Sequence, residues 1–433
     1  MLLRIFVFHT IMMMNLQNKI TTLLLGGFMA SSLVSTAQIA SNQELSGKQI
    51  NTITTAVPFL LITPDSRSGA MGDVGVAISP DANSIHWNPS KIAFVESKSG
   101  MSMSYSPWLR KLVNDINLAY VSGYYKLDDF SAVTGSLRYF SLGNITFTDQ
   151  TGGVIRDYNP NEFALDVAYA RKLSENFSAG LAARYINSNL TGGTAVQGAN
   201  TKAGQSIAAD VSGYYQSNQF KIKERLSTFS AGLNISNIGS KMAYTDGADR
   251  DFIPTNLRLG TALNVEIDDF NAFTVALDAN KLLVPTNPEY KRVNGQVVYD
   301  NEGNPEIASG RSNDVGVASG IFGSFTDAPG IVIVDENGTT VGVEKGSKFK
   351  EELSEINVSL GMEYLYNNVF AVRGGYFYEA PTKGNRQFVS MGAGIKYQVF
   401  QLDLSYLVAL TQQSPIANTI RFSLLFNLGS KES

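Results

Sequence analysis

Histidine is the scarcest titratable residue in this chain of 433 residues, present only as His9 and His86. His86 stands close to Ser84 and Ser90, so a serine–histidine pair for acyl transfer is the sharpest chemistry on offer. It also sits beside Trp87 in a dense, punctuated stretch, and we read it as a packing or hydrogen-bonding residue. No catalytic residue is expected. Two acidic groups, Asp246, Asp249 and Asp251 and then Asp300, Glu302 and Asn304, are spaced loosely like calcium ligands. Acids in such loops are usually solvated turns, so no metal is expected either. Gly72 and Gly75 form no dinucleotide fingerprint, because no strand–helix–strand unit surrounds them. The chain has no cysteine, which excludes a disulfide framework, cysteine-ligated zinc and a cysteine lipid anchor. No cofactor is implied.

The elements that would carry function begin with an export signal. Lys19 precedes an apolar run from Leu23 to Val34, and Ser35-Thr36-Ala37 supplies the small residues of a cleavage site before Gln38. Residues 1–37 therefore read as a signal peptide, with Met14 as an alternative start. The run is short and broken by Gly26 and Gly27, unlike a membrane anchor of about 20 apolar residues. Removing Arg4 and Lys19 from the 34 basic residues leaves 32 against 38 acids, a net charge of about −6 that offers nothing to nucleic acid. A mean hydropathy of −0.03 is too polar for a bundle of membrane helices.

From Ser99 onward, segments of about ten residues alternate apolar with polar or small side chains, as a strand with one oily face requires. Ile420, Phe422, Leu424, Phe426 and Leu428 form one face of such a segment, with Thr419, Arg421, Ser423 and Asn427 on the other. The runs exceed the five or six residues of typical globular strands and match the 9–11 of tilted membrane strands. Fourteen segments are counted, near 99–106, 115–127, 130–143, 161–173, 176–190, 205–216, 226–238, 254–267, 270–283, 353–366, 369–380, 386–398, 400–410 and 416–428. Tight turns at Asp128-Asp129, Ser174-Glu175, Asp268-Asp269, Asn367-Asn368 and Phe400 alternate with long polar loops, of which 285–352 is the longest. This is the pattern of a transmembrane antiparallel β-barrel in the outer membrane, in contact with its lipid. With the N-terminus in the periplasm, short turns are periplasmic and long loops extracellular. In this register Arg138, Arg184, Arg258, Arg373, Arg421, Asp166, Asp210, Asp278, Glu363 and Asp403 point into the lumen, where mixed charges usually pair with each other or with a plug.

Residues 38–98 do not alternate. They carry glycines at 69, 72 and 75 and helix-start signals at Ser79-Pro80-Asp81 and Asn88-Pro89, which suggest short helices folded into the lumen as a hatch. The expected domains are thus a signal peptide 1–37, a hatch 38–98, a barrel 99–428 with its outer loop 285–352, and a tail 429–433. Three hatch stretches, Ala56 to Leu60, Pro64 to Ala77 and Asp81 to Lys91, resemble the PorV family, and the later two, more loosely, the FadL-like transporters. The motif residues are Pro58, Asp65, Arg67, Gly69, Gly72, Asp73, Gly75, Asp81, Asn83, His86, Trp87, Asn88 and Pro89. A second match runs from Gly320 to Gly330, while residues 331–348 look inserted relative to the family.

The alternation gives an all-β, 14-stranded barrel, and the resemblance implies for it a part in type IX secretion and no enzymatic activity. Its partners would be the translocon barrel, cargo bearing a C-terminal signal domain, and a surface attachment complex with a sortase-like transpeptidase. A FadL-like channel for hydrophobic molecules is the alternative. Partner contacts are expected on the outer loops at Trp108, Phe322, Phe325, Asp327 and Pro329, because exposed apolar side chains on a long loop often mark interaction sites.

Overall fold

Alternation along a strand has one consequence that no soluble core would demand: an apolar outer surface. In the computed structural model the segment Ile420–Leu428 exposes Ile420, Phe422 and Leu424 and buries Arg421, Ser423 and Leu425. The structure describes residues 50–109, 113, 115–148, 151–194, 200–245, 249–411 and 414–429. Residues 1–37, read from the sequence as a signal peptide, residues 38–49, Asp246 and residues 430–433 lie outside the described residues.

Fourteen strands form the wall: β1 (Ser99–Pro107), β2 (Asn117–Lys126), β3 (Ser131–Ser141), β4 (Asn161–Lys172), β5 (Phe177–Asn189), β6 (Gly204–Gln216), β7 (Arg225–Gly239), β8 (Asn256–Asp268), β9 (Asn271–Leu282), β10 (Ile356–Tyr366), β11 (Phe370–Tyr378), β12 (Gln387–Tyr397), β13 (Phe400–Ala409) and β14 (Ile420–Leu428). Each pairs antiparallel with its neighbour in sequence, and β1 pairs with β14, so the sheet closes on itself. Closure satisfies every wall strand on both edges, which is what lets a sheet stand in hydrocarbon. No helix among the described residues is long and apolar enough to cross a membrane. The outward side chains, such as Leu181, Ile207, Val167 and Ile395, are exposed and apolar, as a lipid-facing belt must be.

The structure departs from the sequence reading in detail. Residues 353–354 belong to a helix, and 416–419 stay outside β14. The connection 217–225 carries a short strand, Phe220–Ile222, that folds back on the start of β7. The loop 285–352 is not plain coil. It holds helices α3 (Val317–Gly323) and α4 (Ser347–Ser354) and a hairpin pairing Val332–Val334 with Thr340–Val343. That hairpin occupies the segment that looked inserted. Its turn is made by Asp335, which accepts from the amides of Asn337 at 3.0 Å and Thr339 at 2.8 Å.

Ahead of the barrel lie a 3-10 turn (Pro58–Leu61), α1 (Ser66–Ala70), α2 (Ser84–Trp87) and a second 3-10 turn (Pro89–Phe94). They hydrogen-bond strands from all around the ring: Ser66 to Ser423 of β14, Gly72 to Ser390 of β12, Gly75 to Asp278 of β9, and Ser90 to Ser178 of β5. Only a segment inside the ring can reach all four, so the barrel is filled. Asn51 donates to the carbonyl of Thr382 at 3.0 Å and to that of Asn287 at 3.0 Å, which places it at the long-loop end. The described chain therefore descends through the lumen before β1 rises from the short-turn end.

Candidate functional site

The motif residues before the barrel turn out to be the joinery of the hatch. Asp65 caps α1 by accepting from the Ser68 amide at 2.9 Å, and its other oxygen accepts from Trp87 Nε1 at 2.8 Å, tying α1 to α2. Asn88 caps the turn that starts at Pro89, accepting from Ser90 N at 3.1 Å. Its amide nitrogen reaches both Val76 O at 3.2 Å and Gly213 O of β6 at 3.0 Å, so one side chain joins two hatch segments to the wall. Asp81 accepts from the amide of Asn83 at 2.8 Å, and Asn83 accepts from Ser122 of β2. Gly72 has φ of 71°, and a Cβ there would stand 2.6 Å from the backbone nitrogen of Tyr376 in β11. Its place needs both a left-handed backbone and no side chain. Gly75 leaves the room that the Trp87 ring fills, and Gly69 the room for the Arg421 guanidinium.

Charge fixes the hatch to the wall. Arg67 makes two parallel bonds to Glu363 of β10, at 3.0 and 2.7 Å, and a further one to Asp81 at 3.3 Å. Glu363 also accepts from Arg373 of β11 at 2.6 Å, and Arg373 continues to Asp403 of β13 at 2.6 Å. Across the lumen, Arg184 bridges Asp166 and Asp210, and it donates to Asn237, which sits in a bulge of β7. Asp278 of β9 receives the amides of Gly75 at 2.8 Å and Val76 at 3.0 Å. All ten charged residues assigned to the lumen face are buried, as the strand register required. A buried Arg–carboxylate network holds only because each charge keeps its partners; losing one partner costs about 3–5 kcal/mol.

His86 belongs to this network. Arg138 can only donate, so His86 Nδ1 is the acceptor at 2.5 Å, and the ring is neutral. Burial, reinforced by Arg138, Arg258 and Arg184, holds its pKa well below the usual value. Its carbonyl accepts from Arg258 at 2.9 Å, and the Arg258 guanidinium lies 5.0 Å from the Trp87 ring centroid. Its role is to seat two guanidiniums, and no serine hydroxyl is bonded to the ring among the described residues. Lys91, which the sequence did not single out, is 1% exposed and donates to Gly75 O at 2.6 Å. Burial lowers its pKa to about 8.

The hatch stands between two cavities. One, of about 450 Å³, lies at the long-loop end under Thr52–Thr55, with Trp108, Phe377, Phe388 and Arg421 in its wall. The other, of about 470 Å³, lies at the short-turn end and is bordered by Arg67, Asp81, Glu363 and Arg373.

Above the wall, the residues assigned to partner contact divide. Phe322 is 78% exposed and Phe325 is also open to solvent. Asp327 and Pro329 are buried inside the loop. Asp327 accepts from the Thr286 amide at 3.1 Å, and Ser309 donates to the carbonyl of Pro329 at 2.5 Å, so both shape the loop rather than present it. Trp108 is half-buried and faces the outer cavity, where its ring lies 5.9 Å from the Arg421 guanidinium. Phe349 and Leu353 of α4, with Val341 and Val334 of the hairpin, add apolar surface that the sequence reading had not grouped with the two phenylalanines. The base of the loop is an ion cluster: Glu355 accepts from Lys383 at 3.0 Å and from Thr286 at 2.7 Å, and Lys281 bridges Glu355 and Glu352. Burial and the neighbouring Glu355 and Glu352 raise the Asp327 pKa to about 6. These residues are far apart in sequence and share no local signal.

Similar folds are found among solved structures. The toluene transporter TbuX of Ralstonia pickettii is 10% identical, with a TM-score of 0.43 over 84% of this chain and 98% of that one. The Pseudomonas putida toluene transporter TodX is 10% identical, with a TM-score of 0.42 over 84% and 98%. A Pseudomonas aeruginosa FadL homologue is 9% identical, with a TM-score of 0.38 over 87% and 99%. No curated protein matches the chain. The family described as type IX secretion system protein PorV matches residues 45–289, more than half of the chain and the whole of the described hatch. This outer-membrane β-barrel belongs to the PorV family of type IX secretion system proteins.

Proposed function

We propose that this protein is a non-enzymatic cargo carrier of type IX secretion. It takes cargo bearing a C-terminal signal domain at the translocon barrel and delivers it to the surface attachment complex containing a sortase-like transpeptidase. The long loops face the cell exterior and the short turns the periplasm. The observation that carries this reading is the contrast between a lumen filled by an ion-paired hatch and a structured loop that holds Phe322 and Phe325 out in water. A side chain exposed in the free protein and apolar in character gains stability when a partner covers it.

The rival reading, a channel for hydrophobic molecules, draws on the cavity of about 450 Å³ and its aromatic wall. It also needs a side exit. The pairing of β7 with β6 shifts between Ile235 and Ile238 but resumes at Ala209 and Ala208, and Asn237 fills the bulge with bonds to Arg184 and Pro254. The third strand, β3, pairs along its length with β2 and β4. The test is paired measurement in a null strain. Surface delivery of signal-bearing cargo should be lost and fatty-acid uptake retained; intact delivery with defective uptake would overturn the carrier reading.

A further inference from the structure

The hairpin of the long loop is backed on one side and open on the other. Its strands, Val332–Val334 and Thr340–Val343, form a two-stranded sheet of their own. Residues 292–295 cover the Thr340–Val343 side. Gly295 N donates to Gly338 O at 3.2 Å, and the hydroxyls of Thr340 and Thr339 accept from the amides of Arg292 and Asn294 at 3.0 and 3.2 Å. Nothing among the described residues pairs with the far edge of Val332–Val334. The register fixes what that edge offers. Glu344 N donates to Ile331 O, and Asp335 N to Thr339 O, so Ile331 and Asp335 turn their main-chain groups inward. Bonded and non-bonded pairs alternate along an antiparallel ladder. Val332 and Val334, opposite Val343 and Thr340, therefore point their N–H and C=O away from the hairpin. The extra residue of the register shift, Val341, belongs to the other strand and leaves this edge uncovered.

Proteins usually shield such an edge with lysine, proline or a covering segment, because a bare one pairs with other chains. Ile331-Val332-Ile333-Val334 has none of these, and Ile331, Ile333 and Val334 are exposed. Charge is one-sided as well. From Ile331 to Glu344 the hairpin carries Asp335, Glu336 and Glu344 and no basic residue. We propose that the Val332–Val334 edge docks an extended strand of another polypeptide, apolar in its middle and basic at the end that meets Asp335 and Glu336. Main-chain bonds to Val332 and Val334 hold the strand, the β-branched side chains pack on it, and the acids select its sign. A second copy of this chain fits less well, since its hairpin brings the same three acids against these. The edge is separate from Phe322 and Phe325, and it stands whether or not those residues grip cargo.

The test uses the full chain in lipid nanodiscs and the fluorescence anisotropy of dye-labelled Thr-Val-Ile-Val-Thr-Lys-Lys. Its controls are the same peptide ending in Glu-Glu and a copy N-methylated on two adjacent amides, which spoils both edges of the strand. The basic peptide should bind roughly ten-fold or more tighter than either control. Hydrogen exchange resolved to single amides should show Val332 and Val334 gaining protection on binding, with Ile333 and Gly342 unchanged. V332P removes an outward N–H that the hairpin itself does not use, so it should abolish binding and leave the Ile333 amide protected. E336K should narrow the gap between basic and acidic peptides by about three-fold or more. If V332P loses the hairpin, the exchange pattern of the unaltered protein and the E336K ratio decide the matter. Equal affinity for all three peptides, protection gained elsewhere than at Val332 and Val334, or a dimer of this chain that V332P dissolves would overturn the site. No translocon or cargo enters the assay, so its failure leaves the carrier reading to its own test.

Discussion

The hatch and the loop 285–352 are both connections without the barrel's alternation, and they solve opposite problems. The hatch brings Arg67, Asp65, Asn88 and Lys91 into a closed lumen, where Glu363, Trp87, Gly213 and Gly75 meet them. The loop keeps its polar residues at its base, around Lys281, Glu352 and Glu355, and turns Phe322, Phe325 and Phe349 to solvent. A segment built for stability buries charge with partners; a segment built for recognition leaves apolar surface without them. The comparison teaches where mutations will be felt as folding and where as binding.

Breaking the hatch should have the largest effect. Deleting residues 57–95 removes the material between two cavities of about 450 and 470 Å³ and should open a conducting pore. Planar-bilayer conductance at the level of the intact protein would show that the segment does not plug the lumen. Next comes a single charge. E363A takes the shared carboxylate from Arg67 and Arg373, leaving each a single acidic partner, Asp81 and Asp403, and the barrel should lose up to about 3–5 kcal/mol, read as a fall in unfolding temperature. An unchanged midpoint would mean that water solvates the pair.

Acid separates the two regions further. The His86 pKa is held low by burial and three arginines, so below about pH 6.5 the unfolded chain takes up a proton that the hatch does not. Stability contributed by a neutral His86 is therefore lost as pH falls, by at most about 1.4 kcal/mol per pH unit. The difference in unfolding midpoint between the protein and H86Q should shrink between pH 7 and 5, and parallel curves would exclude His86 as the cause. Asp327 has the opposite sign. Its pKa is raised to about 6, so its carboxylate burdens the loop base above that pH and ceases to do so as pH falls toward the usual value near 3.8. D327N should accordingly slow proteolysis of the loop at pH 7.5 and not at pH 4.5; equal cleavage at both would place the strain elsewhere.

The smallest effect on stability should come from the exposed pair. F322S with F325S should shift stability by no more than about 0.5 kcal/mol per residue, since Phe322 stands out in solvent and Phe325 is about half exposed. Recovery of translocon or cargo by affinity purification should nevertheless fall. Normal recovery of both would move recognition off this loop.

Much of the barrel was legible because alternation is local. Ile420, Phe422 and Leu424 declare an outer face within five residues, and every lumen charge named from that register is buried in the structure. The inner structure of the loop was less legible: Ser347–Ser354 is rich in helix formers, but the hairpin and α3 beside it hold few strong signals. The hatch motif stood out by its glycines, prolines and aspartates, and it resembled a family before its contacts were known. What those residues touch was decided only by the closed ring. Arg67 meets Glu363 across 296 positions and Ser66 meets Ser423 across 357, because closure brings β10 and β14 around a segment that precedes β1. The sequence by itself determined which face of each strand is wet; the tertiary structure decided which wet groups find a partner and buried the Arg421 Nε and Nη1 without a hydrogen-bond partner, since pairing depends on distances that no local period encodes.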